Sequence, residues 1–289
     1  MNTTISLPAS WRILITGITS IHGWPIFLKL KELVPESRLF GIAPPKSRLP
    51  DLKNVACVCM TDRETLMQIR DRFQPNRIVH CAGVCDLDLC EERPGWARAI
   101  NVAGAKNIIE IFGTDMPLFY MSTDLVFSGN NPPAQGYAEE DAPDPISVVG
   151  QTMTEAEHEV MKCLNHCVVR LGLPLGTSIN KDKGAIDWIE GRFRRNLPAS
   201  LFYDEFRSCI SCEEIGEAIA SVLARDLRGL FHLGGQTSWS LHDIGKHVQK
   251  KGYQPELLKG LMRREEKNGP PRVGNISLNS DKLRKLLAT

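Results

Sequence analysis

The sequence predicts an α/β fold, a doubly wound parallel sheet with a smaller mixed lobe at its C-terminal end, and three observations predict it. Short β-rich runs alternate with amphipathic segments, a glycine-bearing turn follows the first run, and the alternation loosens after Gly176. The runs are "RILIT" (12–16), "RLFGIA" (38–43), "VACVCM" (55–60), "RIVHCAG" (77–83), "PLFYMST" (117–123) and "HCVVRLGL" (166–173). They are rich in the branched and aromatic residues that fit a pleated surface. Between them lie "WPIFLKLKELV" (24–34), "TDRETLMQIRDRF" (61–73) and "WARAINVAGAKNIIEIF" (96–112). In the last, Ala97, Ile100, Ala105, Ile108 and Ile111 recur at helical spacing. Segment 128–147, rich in Pro, Gly and Asp, reads as a long surface loop, and a helix is expected over about 148–164. Further on, "EEIGEAIASVLA" (213–224), "GLFHLGG" (229–235), "SLHDIGKHVQKKG" (240–252) and "SDKLRKLL" (280–287) suggest the mixed lobe.

With 289 residues, 42% of them hydrophobic, the chain can bury a large core. Lys and Arg number 35 against 34 Asp and Glu, so no long-range field draws the protein to nucleic acid or to an anionic membrane. No apolar run approaches the roughly 18 residues of a membrane span. The opening "MNTTISLPASW" lacks a basic region and an apolar secretory core, so a cytoplasmic protein with reduced thiols is expected. "CISC" (209–212) and "CLNHC" (163–167) each offer two sulfurs, but a structural zinc needs four ligands, and no metal site is expected.

"ITGITSIHGWP" follows the first strand and opens the first helix, where backbone N–H groups and a helix N-terminus can receive a dinucleotide's pyrophosphate. This nominates Gly17, Thr19, Ser20, Ile21, His22 and Gly23. Ser20 stands where a middle glycine is usual; it takes up room, and its hydroxyl offers a bond to phosphate. After the second strand, "APPKSR" places Lys46 and Arg48, and no carboxylate, beside the expected ribose, which favours NADP(H) over NAD(H). The competing reading of that pair is a solvated basic loop. Asp62 is placed to accept from an adenine amino group, and Cys81, Ala82 and Gly83 are small where backbone must approach a cofactor. Residues 1–175 are thus read as a Rossmann-type NAD(P)-binding domain and 176–289 as a substrate lobe, with parts of 205–235 returning to the sheet.

Four ordered stretches carry a resemblance: "CAGVCDLDLCEERPGWARAINVAGAKNI", "MSTDLVFSG", "PISVVGQTMTEAE" and "PPRVGNISLNSDKLRKLL". Together they resemble the extended short-chain dehydrogenase/reductase superfamily, and within it the dTDP-4-dehydrorhamnose reductase family, over almost the whole chain. The resemblance implies a nicotinamide dinucleotide and, in active members, a nucleotide-sugar ketone reduced in the cleft. It adds Asn101, Ser122, Met153 and Leu171 to the cofactor set and Glu91, Val149, Arg272 and Asn275 to the substrate side. A salt bridge fixing the C-terminal segment is the rival role for Arg272.

The departure lies in "VVGQTMTEAE" (148–157), where Val149 and Met153 stand at the family's tyrosine and lysine. In active relatives the tyrosine protonates the alkoxide, and the lysine lowers the tyrosine's pKa and bonds the nicotinamide ribose. Val149 and Met153 can do neither, and general acid catalysis alone is worth roughly 10²–10⁴ in rate. Thr123, Asp124 and Tyr137 are the remaining candidate proton donors; His158 reads as a surface residue. The expected function is an NAD(P)(H)-binding protein without standard reductase catalysis, acting as a regulatory subunit, sensor or scaffold. The family offers precedent in the regulatory β subunit of methionine adenosyltransferase, which keeps the tyrosine motif. The alternative is an atypical NADP(H)-dependent oxidoreductase acting on a nucleotide-linked sugar or another small carbonyl compound; a cofactor-free binding module is a third reading. A small-molecule ligand of nucleotide-sugar type and a protein partner are expected, with a homodimer as the default.

Overall fold

A computed structural model describes residues 5–266 and 269–288. The first half runs β1 (Ile13–Thr16), α1 (Gly23–Leu33), β2 (Leu39–Ala43), β3 (Val55–Cys57), α2 (Arg63–Phe73), β4 (Arg77–His80), α3 (Leu87–Glu92), α4 (Pro94–Arg98), α5 (Gly104–Phe112), β5 (Leu118–Thr123), α6 (Val148–Val160) and β6 (His166–Leu171). The second runs β7 (Leu173–Leu175), α7 (Ala185–Arg194), β8 (Ala199–Phe202), β9 (Phe206–Ser211), α8 (Cys212–Ala224), β10 (Gly229–Leu233), β11 (Ser238–Ser240), α9 (Leu241–Gln249), β12 (Leu258–Leu261) and α10 (Asp281–Ala288). Seven strands form one parallel sheet in the order β10-β6-β5-β4-β1-β2-β3. The chain winds outward from β1 through β2 and β3, then returns to β4 on the other side. The strand order therefore reverses between β1 and β4, opening a crevice at their C-terminal ends.

Alternation along each strand sends side chains to two separate cores. Ile13, Ile15, Val79, Phe119 and Met121 pack with α1 and α8 on one face. Leu14, Ile78, Leu118 and Tyr120 pack with α2, α5 and α6 on the other. The third predicted strand is cut short at Cys57, and Asp62 caps α2 soon after. The helix expected over 96–112 contains a wider π-type turn at Ala99–Ala103 between α4 and α5. The helix after the long loop ends at Val160, short of the expected boundary.

Beyond β6 the chain builds a second layer. β11, β9 and β7 form a three-stranded sheet, and β12 pairs with β8. Ile186, Ile189 and Phe193 of α7 meet Ile244 and Val248 of α9 in a third core. Residues 176–289 do not stay in this layer. β10 returns to the main sheet as its outer strand, with α10 packed beside it. The outward N–H of His232 donates to Glu139 Oε1 (2.8 Å), and the Leu230 carbonyl accepts from Lys282 Nζ (2.8 Å). No helix among the described residues is long and apolar enough to cross a membrane.

Candidate functional site

The turn after β1 is held from within. Gly17 has φ +70°, and its carbonyl accepts the Ser20 N–H (3.0 Å). Ser20 Oγ accepts the Gly23 N–H (2.9 Å), so the serine caps the first turn of α1 with its own oxygen. A Cβ on Gly17 would lie 2.5 Å from the backbone of Cys81, and one on Gly23 would lie 2.2 Å from the Gly17 carbonyl oxygen. Helix and strand ends thus touch where a cofactor backbone would lie. Thr19 is almost covered and Ile21 half-buried. His22 Nε2 lies 3.3 Å from the Cys81 carbonyl; burial lowers the imidazole pKa to about 4, outweighing that bond, so His22 is neutral near pH 7. Gly17→Ala combines a left-handed backbone with a clash against main chain. It is expected to remove roughly 2–4 kcal/mol in urea unfolding, and a loss below 1 kcal/mol would disprove the close approach.

At the end of β2, Lys46 (φ +64°) occupies a turn closed by the Ser47 N–H and hydroxyl on the Pro44 carbonyl; Lys46 and Arg48 are exposed. Asp62 caps the start of α2. Its two oxygens accept from the Thr65 N–H (3.1 Å) and hydroxyl (2.8 Å), bonds that hold its pKa below the ordinary value. After β4, the Ala82 N–H donates to Thr16 Oγ1 (3.1 Å), which lies 2.8 Å from His80 Nδ1. Burial lowers His80 to about 4. Thr16 and His80 were not singled out in the sequence, yet they set the path of Cys81–Gly83. Cys81 and Leu171 are themselves buried.

Asn101 sits in the π-type turn, 1% exposed. Its Oδ1 accepts the Val84 N–H (2.8 Å), and its Nδ2 donates to the Val84 carbonyl (3.0 Å) and to Thr152 Oγ1 (2.9 Å). Every polar atom of the amide is used, so Asn101 positions the loop after β4 against α6. Gly83 is exposed above it; a Cβ there would lie 3.7 Å from Met153 Sδ. Met153 is 3% exposed and meets the Tyr120 hydroxyl at 3.6 Å, while Val149 is wholly covered. Val149 has no polar tip to keep wet, and it packs down onto the core. Tyr120 takes no role as an acid, since burial and nearby Glu157 push its pKa well above 10.

The three candidate proton donors are likewise committed elsewhere. Asp124, fully buried, accepts the Arg207 guanidinium on both oxygens, Nε at 2.7 Å and Nη2 at the other. The Thr123 hydroxyl donates to Asp124 Oδ1 (3.2 Å) and accepts the Leu125 N–H (3.3 Å). Tyr137, 6% exposed, stacks on Phe127 with centroids 4.1 Å apart and is a packing residue. Ser122 donates to Glu157, which also takes Arg170 Nε (3.0 Å) and Nη2 (2.8 Å). Arg170 Nη1 approaches His232 Nε2 at 3.4 Å. On the substrate side, Glu91 Oε1 accepts the Val148 N–H (2.7 Å) and completes the start of α6. Asn275 Oδ1 closes a local turn on the Ser277 N–H (3.1 Å) and hydroxyl (2.6 Å). Arg272 lies over the Phe202 ring at 5.2 Å.

This arrangement coincides with a family model, the RmlD substrate binding domain, which matches residues 11–289. The chain belongs to that family. A curated relative is the methionine adenosyltransferase 2 subunit beta of Xenopus laevis, 24% identical over 285 residues, 96% of this chain and 83% of the relative. Among solved structures, a dTDP-4-dehydrorhamnose reductase from Bacillus anthracis in complex with NADP superposes with a TM-score of 0.77 at 22% identity, covering 96% of this chain and 92% of the other. A UDP-glucose 4-epimerase from Thermus thermophilus in complex with NAD gives 0.82 at 20% identity, covering 95% and 92%. In this RmlD-family chain sequence reasoning also missed Arg170 and Arg207. For Arg170 a signal was present: an arginine inside an otherwise apolar strand, as in "VVRLGL", requires a buried carboxylate partner.

Proposed function

We propose that this protein binds a nicotinamide dinucleotide at the turn after β1 and works as a regulatory or sensing subunit, without the reductase chemistry of active relatives. One observation carries the reading. The helix position that would present a proton donor holds a covered Val149 beside a buried Met153, and the neighbouring Asp124 is locked by Arg207. Cofactor binding is supported by the tight turn at Gly17 and by solved neighbours whose names include NADP and NAD. Exposed Lys46 and Arg48 at the end of β2 support NADP(H) over NAD(H). A protein partner is supported by curated relatives that are named as subunits.

Fluorescence titration of NADPH and NADH tests the first half: micromolar binding, tighter for NADPH, is expected. Absence of binding of either at high micromolar concentration refutes it. Following nicotinamide absorbance with dTDP-4-keto-6-deoxysugar tests the second half. Turnover is expected to lie roughly 10²–10⁴-fold below that of an active reductase; turnover comparable to such an enzyme would overturn the reading.

A further inference from the structure

A cavity of about 1130 Å³ opens where β7, β9 and β10 end against α7, α9 and α10. No residue of the nucleotide turn lines it, nor do Val149, Met153 or Asp124. Helix α8 stands between: on one side the Cys212 thiol donates to the Ile21 carbonyl (3.5 Å), and half a turn round Glu214 and Ala218 line the cavity. The floor is apolar. Leu175, Ile186, Ile210, Leu233 and Leu287 line it with Trp239, whose ring His247 meets edge-on at 5.6 Å. Leu175, Trp239 and Leu287 are only half-buried, so a molecule in the cavity reaches them. Arg284 Nη2 donates to the Gly234 carbonyl (2.6 Å), which anchors the guanidinium; its other N–H groups have no hydrogen-bond partner among the described residues. Gln236 and Thr237 line the same space, exposed and with side chains equally unbonded among those residues.

The charges lining the cavity decide what it can hold. Arg284 and Lys251 stand there against a single carboxylate, Glu214. Glu214 is turned to the start of α8, where its Oε2 accepts the Ser211 N–H (3.0 Å) and hydroxyl (2.7 Å), and Lys251 is paired with Glu190. A cation therefore finds no unspent anion. A polyphosphate finds one open guanidinium with Glu214 close enough to feel it, and is repelled. What fits is one monoanionic head beside a broad apolar body. Sites for small molecules run to roughly 1,000 Å³, so the space accepts a body of lipid size. We propose that the cavity binds a free long-chain carboxylate, its head forked on Arg284 and hydrogen-bonded by Gln236 and Thr237, its chain laid over Trp239 and the floor. This is a second site, and it does not depend on the nicotinamide reading.

Calorimetric titration of laurate, below the concentration at which it forms micelles, tests the site, with dodecyltrimethylammonium as the same chain carrying the opposite charge. Wild type is expected to bind laurate with a Kd of about 100 µM or tighter, and the ammonium at least about tenfold more weakly. Arg284→Met, which keeps the stem and removes the charge, and Trp239→Ala, which removes part of the floor, are each expected to weaken laurate about tenfold, with NADPH binding unchanged on the same samples. Sedimentation with phosphatidylcholine–phosphatidylglycerol vesicles is expected to leave the protein in solution. No laurate binding up to millimolar concentration, equal binding of the ammonium, wild-type affinity in both variants, displacement of NADPH by laurate, or capture by vesicles in place of free laurate overturns the proposal. Absence of NADPH binding with the laurate results intact refutes only the nicotinamide reading.

Discussion

Arg170→Met is expected to lower the unfolding free energy by about 3–5 kcal/mol, since it strands a buried carboxylate. Glu157 is fully covered, and its oxygens are shared by Ser122 and the two Arg170 nitrogens. Removing the guanidinium leaves a charge in the core with a single hydroxyl to solvate it, and also uncovers Phe127, over whose ring Arg170 lies at 5.2 Å. For a chain of this size that corresponds to a fall in Tm on the order of 10 °C. Replacing both partners, as in Glu157→Leu with Arg170→Met, is expected to recover much of the loss because no lone charge remains. Urea unfolding of the three proteins decides the matter: a single variant within 1 kcal/mol of wild type would show that the pair is not the buried anchor described here.

The second large effect is on acid stability. His80 and His232 are 1% and 0% exposed, and burial lowers their pKa values from 6.5 to about 4 and about 3. For His232 the neighbouring Arg170 adds to the lowering. The unfolded chain takes up these protons near pH 6.5, while the native protein refuses them until about 4 or below, so stability falls as the solution is acidified through that window. Above pH 7 both forms are neutral and the contribution is complete. Each histidine contributes up to about 1.4 kcal/mol per pH unit, and the two together roughly 5 kcal/mol by pH 4.5. Urea unfolding between pH 7 and 4.5 is expected to show at least this slope, to which His22, also lowered to about 4, adds, and His80→Asn is expected to remove roughly 2.5 kcal/mol of the total. A flat profile over that range contradicts the buried neutral imidazoles.

Legibility followed the kind of physics each residue obeys. The first six strands of the main sheet, α1, α2 and α8 were readable because periodicity and burial agree over whole segments. Short pieces such as β7, β8 and β12, three or four residues each, carry no such period. At the site, the tight turn at Gly17 was readable because a left-handed backbone packed this close to the Cys81 main chain leaves no room for a Cβ. The local bonds of Asp62, Glu91 and Asn275 were not legible in the letters, although a carboxylate or amide near a helix start or turn readily finds backbone N–H groups. The Asp124–Arg207 pair was not legible because its members lie 83 residues apart and only the tertiary fold joins them. The replacement of tyrosine and lysine was plain in the letters, whereas the sealing of Val149 beneath the surface was not.

The two ends of the main sheet constrain how this molecule meets others. At one end, the outward amide of His232 and the outward carbonyl of Leu230 are occupied by a carboxylate and an ammonium group from Glu139 and Lys282. At the other, β3 is only three residues long. An extended segment from another chain would find charged side chains in its way at the first and too short a template at the second. Assembly by β-augmentation at the main sheet is thereby disfavoured, which also guards those two edges against fibril-like stacking.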